Sequence, residues 1–253
     1  MAVLLTAATP TGTRGYTLMI ADDQSQVEAA QRLRHDVFAG ELGVTLPGAS
    51  GGLDVDEFDH HCDHLIVRDD ATREVVGTYR MMTPQGAARA GRRYGDGEFD
   101  LSRLHPLSGQ LVETGRSCVH PDHRSGAVVN LMWAGIARYL HLKNLRWLGG
   151  CASVPLGDGG RSAAGVWTRV REKHLAPPAL RVRPRRPWLD GANPVADPAS
   201  TLPPLLRGYF RLGSWVCGEP AYDPVFDVAD FYVLLSMDRM DPRYRRHFLG
   251  ATR

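Results

Sequence analysis

The stretch LVETGRSCVHPDHRSGAVVNLMWAGIARYLHLKN, residues 111–144, constrains the fold more than any other part of the chain. LVETGRSCV reads as a strand, HPDHRSG as a turn, and Val129, Met132, Ile136 and Leu140 then recur at the spacing of one helix face. Strand, turn and long helix are therefore contiguous. The start of such a helix presents free backbone N–H groups and a positive dipole end to an anion such as a cofactor phosphate. Taken alone, the segment fits an ordinary strand-helix unit with no ligand equally well.

The flanking sequence supplies partners of both kinds. YTLMIAD reads as a first strand, and Val27, Ala30, Leu33 and Val37 predict a helix from Gln24 to about Gly43, capped by Asp22 or Asp23. HLIVRD and EVVGTYRMM, joined by DATR, predict a hairpin, followed by a Gly/Arg-rich connection. Downstream of the central unit come a strand at RWLGGCASV, a helix at GRSAAGVWTRVREKHL, a Pro/Arg-rich strand at LRVRPRRPW, a Pro/Asp loop and a strand at DFYVLLSM. Hairpins among interleaved helices predict an α/β (α+β) fold with a mixed, mostly antiparallel twisted sheet flanked by helices. Residues 1–15 are expected to be a disordered lead-in, and 16–253 a single domain.

Composition narrows the function classes. A net charge of +2 implies no nucleic-acid or membrane partner, but the charge is segregated: seven acids lie between Leu53 and Asp70, and eight bases between Arg161 and Pro187. The four cysteines are far apart with no CxxC, which points to a reducing compartment rather than to disulfides or a zinc ribbon. With neither a signal-like N-terminus nor a membrane-spanning apolar run, a cytoplasmic location is expected.

DEFDHHCDHLIV, residues 56–67, admits several readings. Protein palmitoyltransferases carry DHHC within integral membrane proteins that also hold a cysteine-rich zinc region, and this chain has neither feature. His60, His61, Cys62 and His64 cannot all converge on one ion, because neighbours in an extended chain point to opposite faces. A solvated acidic loop and an acidic binding surface remain open, and no metal is expected.

The turn at HPDHRSGAVV resembles the pantetheine-pyrophosphate loop of the GNAT acyltransferase superfamily. Arg124 stands at the pattern's first position, but its glycine positions fall on Ala127 and Val129, whose side chains would obstruct a diphosphate. That favours a carrier-protein thioester over coenzyme A, with Arg124, Ser125, Gly126 and Ala127 on the donor side. LRHDVF, DVDEFDHHCDHLIV, VVGTYRMM and ETGR resemble, in order and spacing, the acyl-homoserine lactone synthases. The central unit and the tail from Leu202 resemble bacterial L-ornithine N-alpha-acyltransferases, and the resemblance runs from about Tyr16 to Phe248.

This resemblance implies a GNAT-like acyltransferase that moves a long 3-hydroxyacyl chain from acyl carrier protein to the α-amine of L-ornithine, in the first step of ornithine lipid synthesis. The donor is then acyl-phosphopantetheine on its carrier, and no permanently bound cofactor is implied. Glu113 would take a proton from the amine. Its alternative is a strand carboxylate paired with Arg116. Backbone N–H groups around Ser117, Cys118 and Val119 would receive the oxyanion, while the Cys118 side chain reads as packed strand rather than nucleophile. Asp56 and Asp59 would hold a cationic substrate, with Arg34, Phe38, Arg80 and Arg116 organising that side; a solvated arginine is the alternative for Arg80.

The basic stretch 161–186 could steer an acidic carrier protein or rest on anionic lipid at the inner face of the cell membrane, or be a solvated face. Two rival enzymes are an N-acyltransferase for another amino acid and a lactone-type signal synthase. A rival of another class is a basic nucleic-acid binder working through RVRPRRPW, although no nucleic acid is expected as partner.

Overall fold

The computed structural model describes residues 2–8, 15–124, 126–188 and 201–249. In chain order the elements are β1 (Ala2–Ala8), β2 (Gly15–Ile20), α1 (Gln24–His35), β3 (Asp63–Asp69), β4 (Val75–Met82), α2 (Pro84–Ala90), β5 (Phe99–Asp100), β6 (Leu111–Val119) and α3 (Gly126–Leu142). They continue as β7 (Trp147–Pro155), α4 (Arg161–Lys173), β8 (Arg183–Pro184), α5 (Pro204–Arg211), β9 (Trp215–Val216), β10 (Ala221–Asp223), β11 (Val228–Ser236) and α6 (Pro242–Leu249).

Two compact units divide the chain: residues 1–90, 114–145 and 243–253 form unit 1, and residues 91–113 and 146–242 form unit 2. The division falls within β6, between Glu113 and Thr114.

Unit 1 is built on antiparallel pairs. β1 pairs with β2, β2 with β3, and β3 with β4, the last pair being the expected hairpin. α1 packs against β3 and β4, and α3 packs against β1, β2 and β3. The Asp23 carboxylate accepts from the Gln26 backbone N–H at 2.8 Å and caps α1, while Arg32, Arg34 and His35 occupy the last turn, where cations oppose the helix dipole. α1 runs into a π-helical turn over Asp36–Glu41, closed by Leu42 N–H on the Val37 carbonyl. α3 buries Val128, Leu131, Met132, Ile136, Tyr139 and Leu140; of the face read from sequence Met132, Ile136 and Leu140 are buried, whereas Val129 is exposed and Val128 takes the inward position. Gly135 has no room for a side chain: a Cβ there would lie 2.5 Å from the Leu18 side chain of β2.

Unit 2 contains a parallel pair, in which Leu111, Val112 and Glu113 of β6 align with Trp147, Leu148 and Gly149 of β7. The chain passes through α3 between them, the long connection a parallel pair requires. β7 pairs antiparallel with β11, which also pairs with β9 and β10. Every residue of β11 is buried, so it reads as a nearly continuous apolar run rather than a two-residue alternation.

The structure corrects three expectations. Ala2–Ala8 is no lead-in but strand β1, because the backbone of β2 offers it a ladder and Leu4 is buried. LRVRPRRPW yields only the two-residue β8, since its prolines lack the N–H groups a longer ladder needs. The Gly/Arg-rich connection contains helix α2, started by Pro84 at its first position. The expected Pro/Asp loop falls largely on 189–200, outside the described residues. Among the described residues no helix is long and apolar enough to cross a membrane.

Candidate active site

In unit 1 the acidic loop closes on three arginines. Arg34, fully buried on α1, donates from Nε to Asp54 Oδ2 at 2.8 Å and from Nη2 to Asp59 Oδ2 at 2.8 Å, and Nη2 also reaches the Asp54 carbonyl. Arg80 of β4 donates from Nη1 to Asp56 Oδ1 at 2.5 Å and to Asp59 Oδ1 at 3.0 Å. Gln31 donates to Asp59 at 3.1 Å. Arg116 lies 3.5 Å from Asp56 Oδ2 and 3.6 Å from Asp54 Oδ2.

Burial pushes the Asp59 pKa up, but the bonds and charges of Arg34 and Arg80 more than reverse this and hold it well below the usual carboxylate range. Both Asp59 oxygens are thus taken by the protein, and the side chain is only 1% exposed, which leaves no place for a substrate cation. Asp56, with 18% of its side chain exposed, is the accessible member. Phe38 is buried in the π-helical turn. His64, weighed as a metal ligand, is buried with Nε2 3.2 Å from the Asp59 carbonyl, and burial lowers its pKa.

β6 departs from extended backbone at Arg116, whose φ of 51° lies in the left-handed region. A non-glycine residue there is uncommon and re-aims the side chains and N–H groups around it. Ser117, Cys118 and Val119 follow the departure and are partly buried. Burial pushes the Cys118 thiol up to about 12, so it stays protonated at neutral pH and is a poor nucleophile.

Beyond β6, His123 is held 3.1 Å from the Tyr16 hydroxyl, and α3 begins at Gly126. Arg124 is gripped by Glu41 through two bonds of 2.7 and 2.5 Å and donates to the Val119 carbonyl at 3.1 Å. Gly126 is exposed and Ala127 partly exposed; Ser125 lies outside the described residues.

Glu113 belongs to unit 2 and is 4% exposed. Its Oε2 accepts from the Tyr94 backbone N–H at 2.8 Å and its Oε1 from that of Gly95 at 3.0 Å. Burial raises its pKa to about 7, against the opposing influence of Arg93 and of those two N–H groups. At neutral pH the carboxylate is therefore poised between its two forms, where a proton acceptor works best. A turn at Tyr94–Gly97 supplies both N–H groups, and Gly95 permits the approach: a Cβ there would sit 2.6 Å from Glu113 Oε1. Sequence reasoning missed this turn. Its signal was the YGDG run, which reads only as a loop until a partner carboxylate is known.

Among the described residues, the grouping of acids, His and Cys that comes within metal-ligand distance is Glu98, Cys151 and Asp230 of unit 2, not the run from His60 to His64.

Comparison with known proteins adds three findings. Residues 33–134 match the family described as "Acetyltransferase (GNAT) domain". The chain is 35% identical to an L-ornithine N(alpha)-acyltransferase of Rhodobacter capsulatus, over 92% of this chain and 94% of that protein. It is 32% identical to another with that name from Brucella abortus, over 90% and 87% respectively. Among solved structures it is similar to the CoA-dependent acyl-homoserine lactone synthase BjaI (TM-score 0.51, 16% identity, 89% of this chain and 81% of that one). It is also similar to FeeM, an N-acyl amino acid synthase from uncultured soil microbes (TM-score 0.53, 10% identity, 89% and 92%). At such identities these two structures establish the GNAT-like fold alone.

Proposed function

Because this chain belongs to the family of L-ornithine N(alpha)-acyltransferases, we propose that it moves a long 3-hydroxyacyl group from acyl carrier protein to the α-amine of L-ornithine, in the first step of ornithine lipid synthesis. The enzyme is an acyltransferase. The match over nearly the whole chain supports a single acyltransferase domain, which takes in β1 as well as the residues from 16 onward.

One observation carries the mechanism: Glu113 is a buried carboxylate whose pKa sits at about 7. The α-ammonium has no lone pair, so Glu113, directly or through a water, takes one of its protons. The freed nitrogen attacks the thioester carbonyl carbon. The carbonyl oxygen becomes an oxyanion, received by backbone N–H groups of Ser117, Cys118 and Val119 beyond the departure at Arg116. Collapse of the adduct forms the amide and breaks the C–S bond, and the second proton lost by the nitrogen is taken up by the departing pantetheine thiolate. The reaction needs no covalent intermediate on the enzyme, in keeping with a protonated Cys118.

Asp56 is the carboxylate of the acidic loop open to the acceptor, and Arg34, Arg80, Arg116 and Asp59 hold it in place, with Phe38 packed at the end of α1. On the donor side, Arg124, Ser125 and the first residues of α3, Gly126 and Ala127, meet the phosphopantetheine phosphate. A carrier protein as donor is supported by the side chains at Ala127 and Val129 and by the basic surface of unit 2. There Arg103, Arg171, Arg181 and Arg183 line a cavity of about 520 Å³ beside Trp167, a field that attracts an acidic partner. A cytoplasmic enzyme that touches the anionic inner face of the membrane near its product fits the same surface.

Purified protein incubated with acyl carrier and coenzyme A thioesters and a panel of amino acids, with products identified by mass spectrometry, tests the proposal. N-acylornithine is expected, formed faster from the carrier thioester. Absence of any ornithine amide overturns the function, and equal use of coenzyme A overturns the donor assignment.

A further inference from the structure

Ornithine carries a second ammonium, and Asp56, the carboxylate of unit 1 open to the acceptor, already accepts from Arg80. Unit 2 holds an unusual group on the face that bears Glu113. Along β7, Gly149 is the neighbour of Glu113, Cys151 pairs with Tyr232, and Ser153 pairs with Asp230. Alternate strand residues share a face, so Glu113, Cys151, Ser153, Tyr232 and Asp230 lie on one side. Glu98, one residue past the Tyr94–Gly97 turn that holds Glu113, completes the group. Ligand atoms of Glu98, Cys151 and Asp230 all lie within 4.8 Å of one another, with Asp230 buried and the other two half-buried.

What marks this group is its shortage of donors beyond the side chains of Cys151 and Ser153. Both carboxylate oxygens of Glu98 and Oδ1 of Asp230, a residue 2% exposed, have no hydrogen-bond partner. Nor does the hydroxyl of Tyr232, 1% exposed, which lies over Gly149 where a Cβ would come within 2.8 Å of it. Buried acceptors without donors are costly and uncommon. Three orphaned carboxylate oxygens match the three N–H donors of one primary ammonium. Two residues of strand, roughly 7 Å, separate the row of Glu113 from that of Cys151, where the Glu98 and Asp230 carboxylates gather, although the backbone of Asp230 stands two residues further on, opposite Ser153. A diamino acid with three methylenes beyond its Cα spans a comparable distance when extended.

We infer that Glu98 and Asp230 form the subsite for the side-chain ammonium of the acceptor, so that the selection of a diamino acid is made in unit 2. This rests on the acyltransferase reading above. Burial raises the pKa of Glu98 to about 9, with Asp230 next in influence, and burial raises that of Asp230 to about 6, so the empty pair retains a proton that a bound ammonium replaces. Burial and the same two acids push the Cys151 thiol well up, which disfavours the thiolate a metal would require.

The test is kinetic, with L-ornithine and L-norvaline, which has the same side chain without its amine, as acceptors. Wild-type enzyme should strongly prefer ornithine. In Glu98→Gln and Asp230→Asn the ornithine-to-norvaline ratio of kcat/KM should fall about 10- to 100-fold, the worth of a charge-assisted hydrogen bond, mostly through KM for ornithine. Glu98→Asp, which keeps the charge, should restore part of the preference. If the wild type does not acylate ornithine, the proposed function fails before this subsite is reached. If it does, and both substrates decline together or the ratio does not move, the subsite is overturned and the pair holds only a shared proton. Thermal stabilisation by Zn2+ or Mg2+ but not by ornithine, abolished in the same variants, overturns it in favour of a metal. Should Asp230→Asn fail to fold, the half-buried Glu98→Gln decides alone.

Discussion

The acidic loop of unit 1 and the carboxylates of unit 2 use the same side chains at similar depth and treat them in opposite ways. Asp54, Asp56 and Asp59 meet Arg34, Arg80 and Arg116, and Asp59 is held ionised far below its ordinary range. Glu113 receives only backbone N–H groups, while Glu98 and Asp230 face each other, and burial raises all three pKa values. A buried acid matched by guanidinium becomes architecture, whereas one left without a counter-cation keeps an appetite for a proton or an ammonium. Acid count therefore says little about chemistry; cation count beside the acids says much.

Replacing Glu113 should break the comparison most severely. Glu113→Gln is expected to lower kcat by about 100- to 10,000-fold, the usual worth of a positioned base, with the melting temperature little changed; full turnover at saturating substrates would exclude it as the base. Arg34→Ala attacks the other side. It strands Asp54 and Asp59 as buried charges and should cost about 3–5 kcal/mol in denaturant unfolding, so a loss under 1 kcal/mol would show that the arginine lattice is not architecture.

The two regions should also part company with pH. The pKa of Glu113 predicts that kcat/KM falls as pH drops below about 7, and a rate flat from pH 8 to 5 would contradict it. For stability the signs oppose. Asp59, with a lowered pKa, stabilises above its unfolded value of 3.8 and loses that contribution as acid protonates it. Glu98, raised from 4.5 to about 9, stabilises fully below 4.5 and loses its contribution as pH rises toward 9. Melting temperature should therefore decline from pH 6 to 9, and Glu98→Gln should flatten that decline; an identical slope in the variant would count against it. Arg124→Ala should have the smallest effect on folding, under about 1 kcal/mol for an exposed pair with Glu41, while raising KM for the acyl donor. An effect on ornithine KM alone would remove Arg124 from the donor side.

Much of this fold is legible along the chain. The spacing of Met132, Ile136 and Leu140, the hairpin of β3 and β4, and the strands of β6, β7 and β11 follow from periodicity and turn residues, although Val129, placed on the same face, turns outward. β1 and β8 were misjudged because a strand's existence depends on a partner far away in sequence. Within the site, Arg34, Asp56, Asp59, Arg80, Glu113 and Arg116 were named from motif resemblance, but the resemblance carried no information on which carboxylates would be neutralised. Nothing in EFD or VADFY signals that Glu98 and Asp230 will meet.

The sequence by itself determined the alternation of strand and helix, the capped start of α1, and the kinship to ornithine acyltransferases, because these are properties of neighbours a few residues apart or of whole-chain similarity. Only the tertiary structure decided that Asp59 is spent on two arginines, that a turn at Tyr94–Gly97 grips Glu113, and that the Glu98 and Asp230 carboxylates meet with no arginine or lysine side chain among the described residues bonded to either. Protonation depends on burial and on which charges converge, and both are set by contacts between residues that the chain itself keeps far apart.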